Sequence, residues 1–223
     1  MVKALVLDMD GVIFDSEPLH MQVTCRVMKD LAGREPEPDE FYEFVGVRNE
    51  EMWEALVARH KLDVTVEELL QRHREYKSEF FAQASLVPVE GIPELLAEAK
   101  KRGLKIALAT SSPRFLAEMV LTRLGLIHYF DSLVTADDIS HSKPDPEIYV
   151  KAAQRLALPP TLCVAVEDAS LGAQAAKGAG MFCVGFRNPN SGNQDLSRAD
   201  CVVNKINEIR PWEPEWQKGA VKL

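Results

Sequence analysis

The chain alternates between short, largely apolar runs and longer stretches in which apolar residues recur every three or four positions. Five runs have the length of buried strands: residues 4–7, 105–110, 132–135, 162–168 and 182–186. One helical pattern, at residues 93–102, precedes the second run. Three others lie between successive later runs, at residues 113–124, 146–156 and 171–179. Strands that alternate with helices predict a parallel sheet with right-handed crossovers, and continuously apolar strands predict a sheet covered on both faces. The predicted fold class is therefore α/β, with a Rossmann-like parallel-sheet core.

Residues 16–86 break this alternation, because they contain helical patterns at 19–31, 50–60 and 66–81 but no convincing strand. We interpret this segment as a helical domain inserted after the first strand. The α/β core domain would then consist of residues 1–15 and 87–223. The end of the chain, with Trp212 and Trp216 among prolines, is expected to be irregular.

Composition narrows the possible classes of protein. The 223 residues are 46% hydrophobic and 27% charged, which is ordinary for a globular protein. A net charge of −8 disfavours a nucleic-acid partner, and no apolar run approaches the roughly 20 residues that span a bilayer. The four cysteines are far apart and form no C-x-x-C motif, which favours free thiols in a reducing compartment. With no signal-peptide pattern before the first strand, we expect a cytoplasmic protein.

Two aspartates follow the first apolar run directly. Residues i and i+2 of an extended chain point the same way, so Asp8 and Asp10 can share one small volume. Such close carboxylates repel each other unless a cation or a shared proton compensates. The pair suits a Mg²⁺ site in which one carboxylate is a nucleophile and the other an acid or base. The alternative is a cap and turn before the next helix.

Two other strands also end in polar residues: Thr110 and Ser111 follow the second, and Glu167 and Asp168 the fourth. Ligands of parallel sheets bind outside the carboxyl ends of the strands, so these residues are expected to converge. Hydroxyls and free backbone N–H groups at residues 110–113 would accept a phosphate. Lys143 precedes a predicted helix, where the helix dipole opposes a cation unless an anion lies nearby. The alternatives are ordinary helix caps and a solvated loop lysine.

Taken together and in order, these residues resemble the motifs of the haloacid dehalogenase superfamily. The matches are Asp8-x-Asp10-Gly11-Val12, Thr110/Ser111, Lys143, Glu167-Asp168 and the following Gly172-x-x-x-Ala176-x-x-Ala179-Gly180. They cover nearly the whole chain and most resemble the β-phosphoglucomutase-like subfamily, with its sugar-phosphate and nucleotide phosphatases. The insertion at residues 16–86 resembles the small helical C1 cap of that subfamily.

The resemblance implies a role for each of the motif residues. Asp8 would be the nucleophile that forms an aspartyl-phosphate, and Asp10 the acid/base. Ser111 or Thr110 would bind the phosphoryl group, and Lys143 would neutralise charge. The expected cofactor is Mg²⁺, held by Asp8, the main-chain carbonyl of Asp10 and Asp168, with Glu167 as a direct ligand or as support.

Residues of the inserted domain carry the expectation about substrate. His20 stands where β-phosphoglucomutases carry a cap-closing histidine, although related phosphatases have one too. Arg48 lies in a stretch that resembles the specificity loop of the cap and could grip a sugar hydroxyl or a second phosphate. Arg72, Arg74 and Lys77 are further cationic candidates, with a solvated helix face as the alternative.

We expect a monomeric Mg²⁺-dependent phosphatase that hydrolyses a small phosphomonoester, a sugar phosphate first and a nucleotide second. Asp10 favours phosphate esters, because dehalogenases and phosphonate-cleaving relatives typically lack the second acid of the first motif. Two alternatives stay open. One is a β-phosphoglucomutase-type phosphotransferase, and the other is a binding module without turnover. No nucleic-acid or membrane partner is expected.

Overall fold

The computed structural model describes residues 2–34, 40–41, 44, 47 and 49–213. Within these residues the strands are β1 (Ala4–Leu7), β2 (Lys105–Ala109), β3 (Ser132–Val134), β4 (Cys163–Glu167), β5 (Phe182–Phe186) and β6 (Cys201–Val203). The helices are α1 (Glu17–Ala32), α2 (Asn49–His60), α3 (Val66–Gln83), α4 (Ile92–Lys101), α5 (Arg114–Arg123), α6 (Glu147–Arg155) and α7 (Ser170–Gly178). As far as this description extends, no helix combines the length and the apolar character that crossing a membrane requires.

The strands form one sheet in the order β3-β2-β1-β4-β5-β6, and every pairing is parallel. Strand β1 lies at the centre, where Leu7 is opposite both Leu108 of β2 and Val166 of β4. The strand order reverses direction between β1 and β4. In such sheets the crevice that binds ligands opens at this reversal, outside the carboxyl ends of the strands. The predicted α/β fold with a parallel sheet is confirmed.

Both faces of the sheet are buried, as the apolar strands predict. Val6 and Ala107 belong to one apolar cluster with Ile148 of α6 and Ala173 of α7. Leu7, the neighbour of Val6, points to the opposite face and is also fully buried. Close packing on both faces holds the central strands rigidly, and this fixes the backbone position of the residues that directly follow them.

The chain divides into two compact units: Met1–Asp15 with Leu86–Leu223, and Ser16–Ser85. The second unit contains α1, α2 and α3, whose core includes Val27, Trp53, Leu56 and Leu69. Helix α3 begins with a capping box in which Thr65 and Glu68 satisfy each other's backbone N–H groups. That this helical unit acts as a cap on catalysis stays a prediction.

Strand β6 and the segment after it were not predicted in this form. The β6 strand has three residues, too few for a periodic pattern, and it forms by pairing with β5, where Cys201 lies opposite Val184. Beyond it, Ile206 and Ile209 are buried, and the guanidinium of Arg102 lies 5.0 Å from the ring centroid of Trp212. Trp216 lies outside the described residues.

Candidate active site

Asp8 and Lys143 form a buried ion pair at the carboxyl end of the central strand, β1. Asp8 directly follows β1, and its backbone N–H donates to the Val166 carbonyl of β4 at 3.1 Å, which fixes its position. Lys143 lies in a tight turn before α6, in which the Asp145 N–H donates to the Ser142 carbonyl at 3.0 Å. The Lys143 Nζ lies 2.6 Å from Asp8 Oδ1. The lysine predicted from sequence to meet an anion therefore meets a carboxylate.

A second carboxylate shares the same lysine. Lys143 Nζ donates to Glu167 Oε1 at 2.6 Å and to the Ala109 carbonyl at 3.2 Å. The side chains of Lys143 and Glu167 are only 10% and 1% exposed. Burial alone lowers the pKa of Lys143, but the charges of Asp8 and Glu167 outweigh it and raise that pKa above its ordinary value. The lysine is therefore held as a cation.

Asp8 lies in an excess of negative charge. Burial raises the pKa of the Asp8 carboxyl, Lys143 opposes the rise, and the acids Glu167, Asp10 and Asp168 add to it. Oxygens of Asp8, Glu167 and Asp168 all lie within 4.8 Å of one another. One lysine cannot balance the negative charge of three buried carboxylates, whereas the lysine together with a divalent cation can. An all-oxygen donor set suits a hard cation, so these residues fit a metal ion of the Mg²⁺ type.

Tyr149 of α6 completes the surroundings of Glu167, and sequence reasoning missed it. Its buried hydroxyl donates to Glu167 Oε1 at 2.6 Å, the oxygen that Lys143 also contacts. The Lys143 Nζ lies 5.3 Å from the centroid of the Tyr149 ring. One oxygen of Glu167 is thus saturated by donors from α6 and the turn before it. The helical pattern at residues 146–156 gave no sign that Tyr149 would meet Glu167.

Asp10, the second predicted acid, lies beside the segment that follows β2. Ser112 Oγ donates to Asp10 Oδ2 at 3.1 Å. Ser112 is buried, and its own N–H donates to Thr110 Oγ1 at 3.0 Å. A short turn therefore links a threonine, a serine and the candidate acid/base. The sequence placed these hydroxyls at the sheet edge but did not indicate which of them would meet Asp10.

The expectation of free backbone N–H groups at residues 110–113 needs correction. Within that range the Thr110 N–H donates to the Val134 carbonyl at 3.0 Å, the Ser112 N–H donates to Thr110 Oγ1, and Pro113 has no N–H. The Thr110 hydroxyl is also engaged by that turn, and Thr110 is fully buried. Ser111, in contrast, is exposed at the sheet edge. The pairing with β3 and the local turn therefore use backbone donors of Thr110 and Ser112 that were expected to bind a phosphate.

The predicted substrate residues of the helical unit are described by their contacts within that unit. His20 lies on α1, where its ring centroid is 5.3 Å from that of Phe81 on α3. Arg48 lies outside the described residues. Arg72 and Arg74 are exposed on α3, as the solvated-face alternative expects, and Lys77 Nζ lies 5.5 Å from the Phe81 ring centroid. Their roles toward substrate stay predictions.

Comparison with known proteins agrees with this architecture. A family model for haloacid dehalogenase-like hydrolases matches residues 2–180. The phosphorylated carbohydrates phosphatase of Thermotoga maritima is 36% identical over 81% of this chain and 82% of its own length. The β-phosphoglucomutase of Bacillus subtilis is 31% identical over 99% of this chain and 98% of its own. CbbY from Rhodobacter sphaeroides, in a crystal structure with phosphate, superposes with a TM-score of 0.80 at 26% identity, covering 92% and 95% of the two chains.

The family match extends from β1 through α7 and so includes every strand end at which the acids and Lys143 converge. Relatives of over 30% identity cover most of both chains. The resemblance found in the motifs is confirmed. The chain is an enzyme that belongs to the haloacid dehalogenase-like hydrolase family, in the group that includes sugar-phosphate phosphatases and β-phosphoglucomutase.

Proposed function

We propose that this enzyme is a Mg²⁺-dependent phosphatase that hydrolyses a small phosphomonoester through a phosphorylated Asp8. The observation that carries the proposal is the buried Asp8 carboxylate, held by Lys143 at 2.6 Å at the point where the strand order reverses. A carboxylate so placed is rigid, and the Lys143 cation opposes the rise in the Asp8 pKa that burial and the neighbouring acids cause, as a bound Mg²⁺ would also do. The carboxylate must be ionised to attack a phosphorus atom.

In the first step, an Asp8 oxygen would form a bond to phosphorus while the bond from phosphorus to the leaving oxygen breaks. Asp10 would donate its proton to that oxygen, so the alcohol leaves neutral. In the second step, a water oxygen would attack the phosphorus of the acyl phosphate, and Asp10 would take the water's proton. The bond from phosphorus to Asp8 then breaks, which releases inorganic phosphate and restores both carboxyl groups.

The residues proposed to hold Mg²⁺ are Asp8, the main-chain carbonyl of Asp10, and Asp168. Glu167 fits better as support than as a ligand, because its Oε1 already accepts from Lys143 and Tyr149. When bound, the cation would draw negative charge from the phosphoryl oxygens. The excess of buried acids at this edge supports the proposal independently of any family resemblance.

For the transferring phosphoryl group, the structure favours Ser111 over Thr110. The Thr110 hydroxyl is buried and accepts the Ser112 N–H, whereas Ser111 is exposed at the sheet edge. Lys143 would neutralise charge between Asp8 and the phosphoryl group. Positioning and charge neutralisation, rather than bond-making by many residues, carry the catalysis of phosphoryl transfer.

We propose a sugar phosphate as the substrate class, with nucleotides second. Support comes from the sequence similarity to a phosphatase named for phosphorylated carbohydrates. The helical unit, Ser16–Ser85, would act as the cap that selects the substrate, with His20 and Arg48 as its proposed contacts. Lid movements of this kind exclude water or admit a chosen acceptor.

The first experiment measures phosphate release from a panel of sugar phosphates and nucleotides with Mg²⁺, using the wild type and Asp8→Asn. We expect release from one compound class by the wild type and none by Asp8→Asn, because an amide cannot form the acyl phosphate. Equal release by both proteins would overturn the mechanism. Saturable binding without turnover across the panel would favour the binding module instead.

A mutase is the second candidate, favoured by the similarity to β-phosphoglucomutase over 99% of the chain. The same panel tests it when it includes β-glucose 1-phosphate primed with glucose 1,6-bisphosphate. Isomerised sugar with little free phosphate would establish the mutase. Free phosphate without isomer would remove it.

A further inference from the structure

The loop after β5 holds two buried polar side chains that contact the acidic cluster and that sequence reasoning gave no role. Asn188 and Ser191 are 6% and 1% exposed. Asn188 Nδ2 donates to the Gly11 carbonyl at 2.9 Å. Ser191 Oγ donates to Asp168 Oδ2. We call residues 188–191 the β5 loop.

The β5 loop is organised so that both donors act from one rigid turn. Asn188 Oδ1 accepts the N–H of Asn190 at 2.9 Å, and the Ser191 N–H donates to the Asn188 carbonyl at 3.3 Å. These two hydrogen bonds join Asn188, Asn190 and Ser191 in one turn. The Asn188 side chain bonds to the turn that follows Asp10, and the Ser191 side chain bonds to the Asp168 carboxylate.

The turn that follows Asp10 also packs directly against the Asp168 carboxylate. Gly11 has a φ of +75°, and a Cβ built there would overlap the Asp168 carboxylate and lie 3.0 Å from Ser191 Oγ. A side chain at this position would displace Asp168. The backbone of the turn after Asp10 is thus packed against Asp168, with the β5 loop as the third wall.

We propose that Ser191, supported by Asn188, is a positioning residue that holds the Asp168 carboxylate at a set distance from the Asp10 main chain. The inference rests on the proposed function, which makes the Asp168 carboxylate and the Asp10 carbonyl ligands of one Mg²⁺ ion. Hydrogen bonds to a ligating carboxylate fix its orientation before the metal arrives, so less ordering is needed on binding. Ser191 would act through Asp168 and would not touch substrate.

The test measures metal binding without substrate. Mn²⁺ replaces Mg²⁺ as the probe, and the free ion is followed by electron paramagnetic resonance in titrations of the full chain. Replacing the hydrogen-bonded partner of a metal ligand typically weakens affinity by about ten- to a hundredfold, and we expect Ser191→Ala to show this loss. Asp168→Asn gives the reference for removal of the ligand itself.

The matched control is Asn190→Ala. Asn190 lies in the same loop, but its side chain bonds to Asp15 and not to the acidic cluster. We expect its Mn²⁺ affinity to equal that of the wild type. Thermal unfolding of each metal-free variant checks that the proteins are folded. Ser191→Cys, similar in size but a weaker donor, repeats the test should the alanine variant fold poorly.

The outcomes separate the two proposals. If the wild type binds Mn²⁺ and both Ser191 variants bind it equally well, the positioning role is overturned while the proposed function stands. If the wild type binds no Mn²⁺, the metal of the proposed function fails and this inference fails with it. A loss of affinity in Asn190→Ala as large as in Ser191→Ala would show a general effect of the loop and also overturn the assignment. With phosphate release as a second readout, raised Mg²⁺ should restore kcat in Ser191→Ala.

Discussion

Ser112 and Asp10, 102 positions apart in the chain, are joined by a hydrogen bond of 3.1 Å from the serine hydroxyl to the aspartate carboxyl. The backbone N–H of the same serine is held by Thr110 Oγ1, so the serine is itself fixed. Ser112 thus links the end of β2 to the side chain that we propose as the acid/base. A positioned acid contributes more to catalysis than a mobile one.

We predict that Ser112→Ala lowers kcat/KM for a sugar phosphate by about tenfold, because Asp10 loses the contact that orients it. An aryl phosphate such as p-nitrophenyl phosphate should lose less, since its leaving group departs without needing the proton. The measurement compares kcat/KM for both substrates, which reports the steps through loss of the leaving group. Ser197→Ala, at an exposed position, is the control. An equal loss on both substrates would assign Ser112 a general structural role.

Lys143→Met should lower kcat by about a hundredfold or more, because it removes the cation between Asp8 and Glu167. The methionine keeps much of the side-chain volume but not the charge. Steady-state phosphate release is the measurement. Lys177→Met is the matched control, since Lys177 pairs with Asp200 at a half-exposed site, and it should leave kcat unchanged. Wild-type turnover in Lys143→Met would contradict the role proposed for the lysine.

Tyr149→Phe should lower the free energy of unfolding by about 1 to 2 kcal/mol, because it removes one buried hydrogen bond to the charged Glu167. The ring that lies near Lys143 is retained. Urea denaturation measures the change. Tyr76→Phe removes a hydroxyl that bonds to Asp30 at an exposed site, and it should cost less. An unchanged free energy of unfolding in Tyr149→Phe would show that the Glu167 contact adds little stability.

We predict that His73 makes the stability of the helical unit sensitive to acid. It is buried on α3, its two ring nitrogens have no hydrogen-bond partner in the described structure, and its ring meets Trp53 edge-on at 5.9 Å. Burial lowers the pKa of His73 to about 3, and the charges of Lys77, His20 and Arg74 add to the effect. The native state therefore keeps His73 neutral where the unfolded chain, with an ordinary pKa of about 6.5, binds a proton.

Because the unfolded state takes up the extra proton, stability is fully present above about pH 6.5 and declines as the pH falls toward 3. Between about pH 7 and pH 5 this linkage amounts to about 2 kcal/mol. Urea unfolding of the full chain followed by circular dichroism measures it. His73→Leu should remove most of this slope, whereas His128→Leu, at an exposed position, should keep it. An unchanged slope in His73→Leu would refute the assignment.

Much of the fold could be predicted from the sequence, because the spacing of apolar residues indicates which faces of a strand or helix are buried. Continuous apolar strands such as residues 4–7 and 162–166 can be stable only when covered on both faces, and the helical spacing between them predicts the crossovers. The structure confirms the parallel sheet that follows from this. The three-residue β6 escaped prediction because it forms through pairing with β5, and a pattern of three positions has no period.

What the sequence determined by itself is which chemical groups stand at the ends of the strands: Asp8 and Asp10 after β1, the hydroxyls after β2, and Glu167 and Asp168 at the end of β4. The position of a residue relative to its own strand is enough to predict this, since the geometry of an extended chain fixes where each side chain points. Only the tertiary structure decided how these groups are paired. Lys143, Tyr149, Ser112 and Ser191 reach their carboxylate partners across 18 to 135 positions, and each can bond to any acceptor within its reach. Periodicity predicts that a side chain is buried, but a hydrogen bond depends on the position of a single atom, which the packing of distant elements sets.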